Sequence, residues 1–531
     1  MTVRLVSSRD LAAAGEFDVW VPIAAAAPDV LPADMRRPTA RELEQAFAGI
    51  AQDWFSIARD IARNPGGELT HTGSCAANIT DFGLMLAWGS LVREWAGEET
   101  KTLVLCDDPW MFRHLAGLPG VTAGTAPPLF RREIMLRLRG IAARAACALR
   151  VARANIALRA MRSTVTRGER CILVYGHPRS NTDGYDGYFG DLMRTDASIR
   201  RVLHVDCGVP RARALAVDGR TVSLHAWGSL RDAAPCLAAR WRPGRALLSG
   251  PYGWLVRRAG ALDGGTAQAA IIRWQNLCQA RWLADTAPVA VAWPWENHAW
   301  ERSFVAACRA RGTRTIGYQH SVVGRQMINY SPASNPAGED GLPDRIHCTG
   351  RATAQQLEAL GNPGGRIAVA GALRFEEKPG PKYDPAAPAF LALPFDNEIG
   401  REMVAAAARV ADGTHRFLVK DHPMTPCAFE ETEFVRRTQS QLNDLAAVSS
   451  VIYSATTVGL EALLMGLPTY RFLPSAKIGM HVLPPALEVQ TVAAAEIGKA
   501  LDCPARPAPV ERSEIFAPVD RDIWSEALRG C

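Results

Sequence analysis

The pattern of hydrophobic and polar positions changes near residue 165. Before that point, helical periodicity predicts helices over residues 40–63, 79–96 and 131–162, with one strand-like run at Thr102–Cys106. After it, short apolar runs bounded by Gly, Pro and Asp alternate with helical windows, which is the pattern of βα units in a parallel sheet. The sequence therefore predicts an α/β protein with two Rossmann-like domains that face a cleft, preceded by a helical region.

The apolar runs fall into two series of predicted strands. The first comprises residues 171–175, 201–205, 246–248, 289–292 and 314–318, and the second comprises 345–348, 366–370, 390–393, 416–419, 451–453 and 469–472. Helices are predicted between members of the second series, over residues 352–360, 398–410, 430–445 and 457–465. Residues 331–343 are rich in turn formers and are predicted to be the linker.

These patterns predict four segments. Residues 1–165 form a mainly helical region with part of the first α/β domain, and 166–330 form a Rossmann-like domain. Residues 344–500 form a second Rossmann-like domain, and 501–531 form a tail that packs back.

Composition narrows the class of protein. Sixty Lys and Arg against fifty-four Asp and Glu give a net charge of +6 over 531 residues, which is too dilute for a dedicated nucleic-acid binder. The cysteines show no CxxC pair, so reduced thiols and a cytoplasmic location are expected. The charged N-terminus and the lack of any run of 18 apolar residues predict neither a signal peptide nor a membrane span.

The segment from Arg131 to Arg162 is a predicted helix with nine arginines and a single acidic residue, Glu133. Projected at 100° per residue, the arginines lie all round the helix, so the pattern of an interfacial helix is not clean. Peripheral contact with anionic lipid and an ordinary solvated helix both stay open.

Chemistry is expected in the loops after strands, because ligands of parallel sheets bind beyond the carboxyl ends of the strands. No GxGxxG or GxxxxGK[ST] sequence follows a predicted strand, which argues against nicotinamide, flavin and P-loop sites. One predicted strand ends in Lys420, His422 and Pro423, where a cation and an imidazole can meet phosphate. An ordinary strand-end turn is the alternative.

A second strand end carries Ser454, Thr456 and Thr457 at the start of a predicted helix. Hydroxyl groups and helix N–H groups suit a phosphate, and Glu461, one turn later, can accept hydrogen bonds from ribose hydroxyls. A helix cap with an acidic first turn is the structural alternative, but the nearby Lys420 and His422 favour a ligand site.

Together these two motifs resemble the His-Pro and Ser/Thr motifs of GT-B glycosyltransferases that use cytidine-activated donors. The families concerned are bacterial sialyltransferases and capsule Kdo transferases. The resemblance covers residues 344–475 and implies that the motifs hold the nucleotide and its phosphate. It further implies that residues 344–500 are the nucleotide-sugar-binding domain, and that residues 166–330, with part of residues 1–165, are the acceptor or catalytic domain. Arg374, after the turn at Gly371, is a further candidate for the donor phosphate.

A third segment carries the expected catalytic groups. The sequence around Glu296, and the run from Gly317 to Ser321, resemble bacterial surface carbohydrate biosynthesis proteins. Relatives with Gly at the position of Ser321 use the preceding His as a base, which implies that role for His320. Glu296 and His320 each follow an apolar run, so both are expected at one rim of the sheet, with Glu296 in support or as a structural hydrogen-bond partner.

Asp183 and Asp186 lie in a Gly-rich loop after a predicted strand, where either could act as a base or a nucleophile, although Asp-Gly is also a common surface turn. No metal site and no cofactor other than the donor are predicted.

The sequence thus predicts a metal-independent GT-B glycosyltransferase. Its expected donor is a CMP-linked sugar, Kdo or a related ulosonic acid, and its expected acceptor is a surface polysaccharide or lipid-linked glycan. A UDP-sugar transferase or UDP-sugar 2-epimerase is the alternative with the same fold. A non-catalytic polysaccharide-assembly protein is the alternative from another class.

Overall fold

The first unit of the chain contains a four-stranded parallel sheet that the sequence analysis did not predict. The computed structural model describes residues 2–26, 28, 30–72, 80–375, 379–423 and 425–529. The strands are β1 (Val3–Val6), β2 (Val19–Ile23), β3 (Thr102–Cys106) and β4 (Val121–Ala123), in the order β2-β3-β1-β4. Only β3 was predicted, because β1, β2 and β4 are three to five residues long and such short runs show no clear period.

Four helices accompany this sheet. They are α1 (Ala40–Gly49), α2 (Ala51–Arg63), α3 (Phe82–Trp95) and α4 (Pro109–Leu115). The predicted helices over 40–63 and 79–96 are confirmed, apart from Ile79, which lies outside the described residues. The long α5 (Leu129–Leu158) then leads into the second unit, which confirms the predicted Arg-rich helix.

The second unit is a seven-stranded parallel sheet in the order β11-β10-β9-β8-β5-β6-β7. Its strands are β5 (Arg170–Val174), β6 (Ile199–Leu203), β7 (Thr221–Ser223), β8 (Ala290–Pro294), β9 (Arg314–Gln319), β10 (Arg345–Cys348) and β11 (Ile367–Val369). Its helices are α6 (Leu192–Thr195), α7 (Val209–Ala216), α8 (Leu230–Ala233), α9 (Arg245–Ser249), α10 (Gly253–Gly264), α11 (Gln268–Thr286), α12 (Ala299–Arg309) and α13 (Arg351–Ala359). Separate apolar clusters pack on its two faces.

The boundary between the two Rossmann-like units differs from the predicted one. Strands β10 and β11 extend the sheet of β9, so residues 331–343 are a connection within the second unit and not a linker. The reason lies in side-chain contacts that composition does not reveal. Asn297 donates to the carbonyl oxygens of Asn329 and Ser331, and Arg302 donates to Ser334, which fixes the turn-rich segment to the sheet.

The third unit has a six-stranded parallel sheet in the order β15-β14-β13-β17-β18-β19, beside the two-stranded pair β12-β16. The strands are β12 (Lys382–Tyr383), β13 (Ala389–Ala392), β14 (Phe417–Lys420), β15 (Val435–Arg437), β16 (Ala447–Val448), β17 (Val451–Tyr453), β18 (Thr469–Leu473) and β19 (Gln490–Ala493). The helices are α14 (Asn397–Val410), α15 (Val458–Leu464), α16 (Ile497–Asp502), α17 (Arg512–Ile515) and α18 (Arg521–Arg529). Trp524 of α18 packs back against Phe189 and Tyr318 of the second unit.

Two predicted elements are wrong. Residues 246–248, predicted as a strand, lie in the one-turn helix α9, where Leu247 and Leu248 pack on the first unit. Residues 430–445, predicted as a helix, contain β15 and a 3-10 turn, because Val435 is buried and pairs with Phe417. Arg437 also forms an ion pair with Asp421 from this strand.

The carboxyl ends of the second and third sheets face one another. The loop after β9 meets the loop after β18, where a Cβ added at Gly324 would lie 1.7 Å from the carbonyl oxygen of His481. The His481 N–H donates to Gln326 at 2.7 Å, and Glu44 of α1 accepts from Gln326 and from Arg471 of β18. All three units therefore meet beside the cleft.

Candidate functional site

Glu296 and His320 follow neighbouring strands of the second sheet, as the sequence predicted. Strands β8 and β9 pair in parallel, so the two residues emerge at the same edge. This is the edge that faces the third unit, where ligands of parallel sheets bind.

The Glu296 carboxylate lies 3.2 Å from Nε2 of His298, and 38% of the Glu296 side chain is exposed. Partial burial raises the pKa of Glu296 to about 7. Burial, helped by the charge of Arg302, lowers the pKa of His298 to about 4, so this imidazole is neutral at physiological pH. A carboxylate with such a pKa can exchange a proton near neutrality, which is what a general base requires.

Glu301 fixes the backbone around this pair. Its buried carboxylate accepts hydrogen bonds from the N–H groups of Glu296 and His298, at 3.1 and 2.8 Å. Both donors precede α12, so Glu301 caps that helix from its first turn. Asn297, with φ of 60°, turns the chain between them.

His320 lies in an aromatic and cationic cluster. Its ring is 5.1 Å from that of Tyr188, over which the Arg374 guanidinium lies at 5.7 Å. Burial, with the nearby charges of Arg374 and His177, lowers the pKa of His320 to about 3. The imidazole is thus neutral but weakly basic, so Glu296 is better matched to proton transfer at neutral pH.

Two polar atoms of this cluster are buried and have no hydrogen-bond partner within the described part of the chain. They are Nδ1 of His320 and Nε of Arg374. Burial and the charge of Arg179 lower the pKa of Arg374. Unpaired buried donors and acceptors are costly, which favours a polar ligand that bonds to them.

Three aromatic residues of this edge, Tyr175, His177 and Tyr188, were not among the predicted site residues. Tyr175 and His177 follow β5, and the ring of His177 packs edge-to-face on Tyr188 at 5.2 Å. Their position after a strand was a usable signal, but aromatic residues near strand ends are also common in cores.

Asp186 holds the loop that presents Tyr188. It is fully buried, lies 3.4 Å from Nε of the equally buried Arg201, and accepts from the Ser180 hydroxyl and the Tyr188 N–H. Asp183 lies on the exposed turn of the same loop. The structure gives Asp186 a structural role and leaves Asp183 at the surface, so neither is retained as a nucleophile or base.

Glycine brings this loop against the segment that carries Arg374. Gly190 has φ of 51°, and a Cβ there would lie 2.0 Å from the carbonyl oxygen of Leu373. This approach places Arg374 over Tyr188.

In the third unit, His422 and Pro423 lie in a turn after β14. The His422 ring packs edge-to-face on Phe395, which follows β13, at 5.5 Å, and burial lowers the pKa of His422. The ammonium group of Lys420 donates to the carbonyl oxygen of Gln439 at 2.5 Å. Lys420 is therefore engaged within its own unit, which weakens its predicted role at the donor phosphate.

The Ser/Thr motif follows β17, at the same edge. The buried Ser454 hydroxyl donates to the carbonyl oxygen of Phe472 at 3.3 Å. Its side chain therefore stabilises the sheet, which weakens its predicted role at the donor phosphate. Thr456 and Thr457 are half-buried at the start of α15, and Glu461 lies in its first turn. Because β13 separates β14 from β17, the two motifs are about 10 Å apart, which is the reach of a nucleotide phosphate and ribose.

Comparison with known proteins gives only distant similarity. No protein-family model matches the chain, and no curated protein matches it significantly. Among solved structures, the glycotransferase of kitacinnamycin is 12% identical with a TM-score of 0.41, over 68% of this chain and 99% of that one. CalG4, the calicheamicin glycosyltransferase, is 16% identical with a TM-score of 0.37, over 68% and 95%. The UDP-GlcNAc 2-epimerase from Neisseria meningitidis, bound to UDP-GlcNAc, is 10% identical with a TM-score of 0.39, over 68% and 100%.

The predicted fold class is confirmed by the sheets themselves. Two parallel α/β units present their carboxyl ends to a common cleft, which is the GT-B arrangement that the motif resemblance implies. The N-terminal α/β unit is an addition to that arrangement.

Proposed function

We propose that this chain transfers a sugar from a nucleotide-activated donor to an acceptor hydroxyl bound in the cleft. The observation that carries the proposal is the Glu296 carboxylate, which is partly exposed at the cleft edge, 3.2 Å from His298, with a pKa raised to about 7 by partial burial. A group of this kind can take a proton from a hydroxyl at neutral pH.

In the proposed reaction, Glu296 accepts the proton of the acceptor hydroxyl. The acceptor oxygen forms a bond to the anomeric carbon of the donor sugar, and the bond from that carbon to the phosphate oxygen breaks. The bonding pair leaves with the nucleotide phosphate. The neutral His298 holds the carboxylate in place, and the neutral His320 acts as a hydrogen-bonding group for the substrates.

Positive and polar groups on both sides of the cleft suit the leaving phosphate. Arg374 supplies charge from the second unit, and His422, Thr456 and Thr457 supply donors from the third. Charge-assisted hydrogen bonds of this type stabilise a developing phosphate charge without a resident metal or cofactor. Glu461 is proposed to bind the ribose hydroxyls.

The finer proposal is that the donor is CMP-linked, carrying Kdo or a related ulosonic acid, and that the acceptor is a surface glycan or glycolipid. It rests on the motif resemblance around His422 and Thr456. The competing donor is a UDP-sugar, for a transferase or a 2-epimerase.

A panel of nucleotides tests both the nucleotide-sugar proposal and the choice of a CMP-linked donor. Thermal denaturation is measured with CMP, CDP, UDP and GDP, because a ligand that binds only the folded state raises Tm. The expected result is a rise with CMP that is absent in His422→Ala. A rise with UDP alone would overturn the CMP donor, and no rise with any nucleotide would overturn the nucleotide-sugar proposal.

A turnover assay distinguishes a glycosyltransferase from a non-catalytic polysaccharide-assembly protein. The parent protein is incubated with a CMP-sugar and a panel of glycolipid acceptors, and released CMP is measured by chromatography. We expect CMP release in the presence of an acceptor. Parallel reactions supplied with UDP-sugars identify the alternatives, because a UDP-sugar transferase would release UDP and a 2-epimerase would convert the UDP-sugar into its epimer. Tight nucleotide binding with an intact donor after long incubation would favour a non-catalytic role.

A further inference from the structure

The outward face of α5 is apolar. Of the fourteen large apolar side chains that are exposed in the described part of the chain, seven lie on this helix. Phe130 and Leu138, for example, are 72% and 63% exposed. The seven are Phe130, Ile134, Met135, Leu138, Ile141, Leu149 and Ile156. A surface helix normally presents polar residues to solvent, whereas the exposed face of α5 is rich in large apolar side chains.

These side chains form one stripe. At 100° per residue, all seven lie within about 80° of Leu138 around the helix axis. Arg132, Arg139 and Arg150 lie about 100–120° away on one border, and Arg137 lies about 100° away on the other. Arg131 and Arg153 lie inside the stripe, about 20° and 60° from Leu138. The solvent-facing half of α5 is therefore a mainly apolar stripe that contains two arginines and has further arginines along its borders.

The opposite face holds α5 firmly on the protein. Leu136, Val151 and Leu158 are buried there. The buried Arg144 donates to the carbonyl oxygens of Leu237 and Gly264, at 3.1 and 2.9 Å. The apolar stripe therefore faces outward while the helix is packed in its place.

The segment beside α5 continues the same surface. Leu230 and Leu237 are 57% and 52% exposed, and their helical turns pack against α5. Arg240 and Arg242 are exposed nearby. Burial and the charges of Arg242, Arg144 and Arg137 lower the pKa of Arg240, which shows that positive charge accumulates here.

Several of these arginines have no acidic partner. Within the described residues, Arg131, Arg132 and Arg153 form no salt bridge, whereas Arg137 pairs with Glu133 at 3.3 Å. Exposed cations within and beside a mainly apolar stripe match a surface that offers phosphates at its boundary and hydrocarbon below it.

We propose that this face, made of α5 and the adjoining Leu230–Leu237 segment, docks on a bilayer surface rich in anionic phospholipid. The apolar stripe lies in the headgroup region, and the arginines bind the lipid phosphates through their long side chains. In the part of the chain that the structure describes, no helix is long and apolar enough to cross a membrane, so α5 lies along the surface.

Other occupants fit less well. A second copy of the chain would bring the same unpaired arginines together, and nucleic acid would leave the central stripe without a partner. The proposal goes beyond the proposed function and holds independently of it, because binding to lipid is measured without substrate.

The test is co-sedimentation of the full-length protein with vesicles. Vesicles of phosphatidylcholine alone are compared with vesicles containing about one-third phosphatidylglycerol, at low and at high salt. We expect strong binding to the anionic vesicles only, weakened by salt. Equal binding to both compositions, or no binding to either, would overturn the proposal.

Two sets of variants assign the binding to this face. Leu138→Ser/Leu149→Ser removes apolar contact and Arg131→Gln/Arg132→Gln/Arg153→Gln removes charge, and each should lower the partition coefficient by about tenfold or more. The matched controls are Val217→Ser, at a site that is 80% exposed, and Arg401→Gln/Arg409→Gln/Arg521→Gln, at exposed sites elsewhere. Both controls should bind like the parent protein.

Because every substituted side chain is exposed, Tm should stay unchanged, and circular dichroism checks the fold. If the test variants keep full binding, or the controls lose it equally, the assignment is wrong. Size-exclusion chromatography that shows a dimer broken by Leu138→Ser/Leu149→Ser, without lipid binding, would show instead that a second copy covers the face. Arginine-dependent capture of a duplex oligonucleotide in place of vesicles would show a nucleic-acid surface.

Discussion

Glu296→Gln is the change that tests the proposed chemistry most directly. The substitution keeps the shape of the side chain, which lies 3.2 Å from Nε2 of His298, while it removes the proton acceptor. If Glu296 is the general base, kcat/KM should fall by about 10²–10⁴-fold with little change in nucleotide affinity. His320→Ala should lower kcat/KM by a smaller factor, because the pKa of His320 lies near 3 and that imidazole is a weak base.

The pH dependence of kcat/KM shows whether Glu296 acts as a base or as an acid. A base works when ionised, so kcat/KM of the parent protein should rise with pH through the Glu296 pKa of about 7 and then level off. The residual activity of Glu296→Gln should lack that rise. A parent activity that falls through the same range would mean that Glu296 acts as an acid.

Thermal denaturation measures the same pKa without any substrate. The Glu296 pKa is about 7 in the folded protein against 4.5 as the ordinary value. Between these pH values the unfolded chain loses the proton first, so this carboxyl lowers the stability of the parent progressively as pH rises. The Tm of Glu296→Gln relative to the parent should therefore increase across this window and stay constant above it.

Asp183→Asn is the matched control, since it removes a carboxylate that is exposed on the neighbouring loop. It should leave kcat/KM, the pH profile and the Tm difference unchanged. The reasoning is refuted if Glu296→Gln keeps the parent's rate and pH profile, or if its Tm difference does not depend on pH.

Two further predictions concern the nucleotide site and the rim loop. His422→Ala and Thr456→Ala/Thr457→Ala should each weaken nucleotide binding by about 1–3 kcal/mol, measured by titration calorimetry, and unchanged affinity in both would remove the site from the third unit. Asp186→Asn should reduce the free energy of unfolding by about 3–5 kcal/mol in urea denaturation, because it removes the nearer of the two carboxylates beside the buried Arg201 and leaves only Asp218, at 3.9 Å. A loss as small as for an exposed site would contradict the structural role.

The sequence could predict which residues lie together wherever their positions follow from the order of strands along the chain. Strand ends in a parallel sheet share one edge, so Glu296 and His320 could be placed together before their strands were seen to pair. The same argument placed His422 and Thr456 at one edge, with β13 between their strands.

Sheet membership could not be predicted in the same way. The turn-rich residues 331–343 have the composition of a linker, and only the hydrogen bonds from Asn297 and Arg302 fix them within the second unit. The roles of Asp186 and Lys420 likewise depend on partners far along the chain, Arg201 and the carbonyl of Gln439. Burial decides between a catalytic carboxylate and a structural one, and burial is a property of the folded chain.

Gly324→Ala tests whether the contact between the facing loops sets the cleft geometry. A Cβ at this position would lie 1.7 Å from the backbone carbonyl oxygen of His481, so the loops after β9 and β18 must move apart. Reacting groups on opposite sides of the cleft would then be displaced, and a shift of about 1 Å can cost on the order of 100-fold in rate. We expect the loss of kcat to exceed the loss of nucleotide affinity, because His422 and Thr456 lie within one unit and only Arg374 would contact the nucleotide from the other. Gly365→Ala, where no atom lies within 4 Å of an added Cβ, is the control and should behave like the parent. Normal kcat in Gly324→Ala would show that the catalytic groups do not depend on this contact between the second and third units.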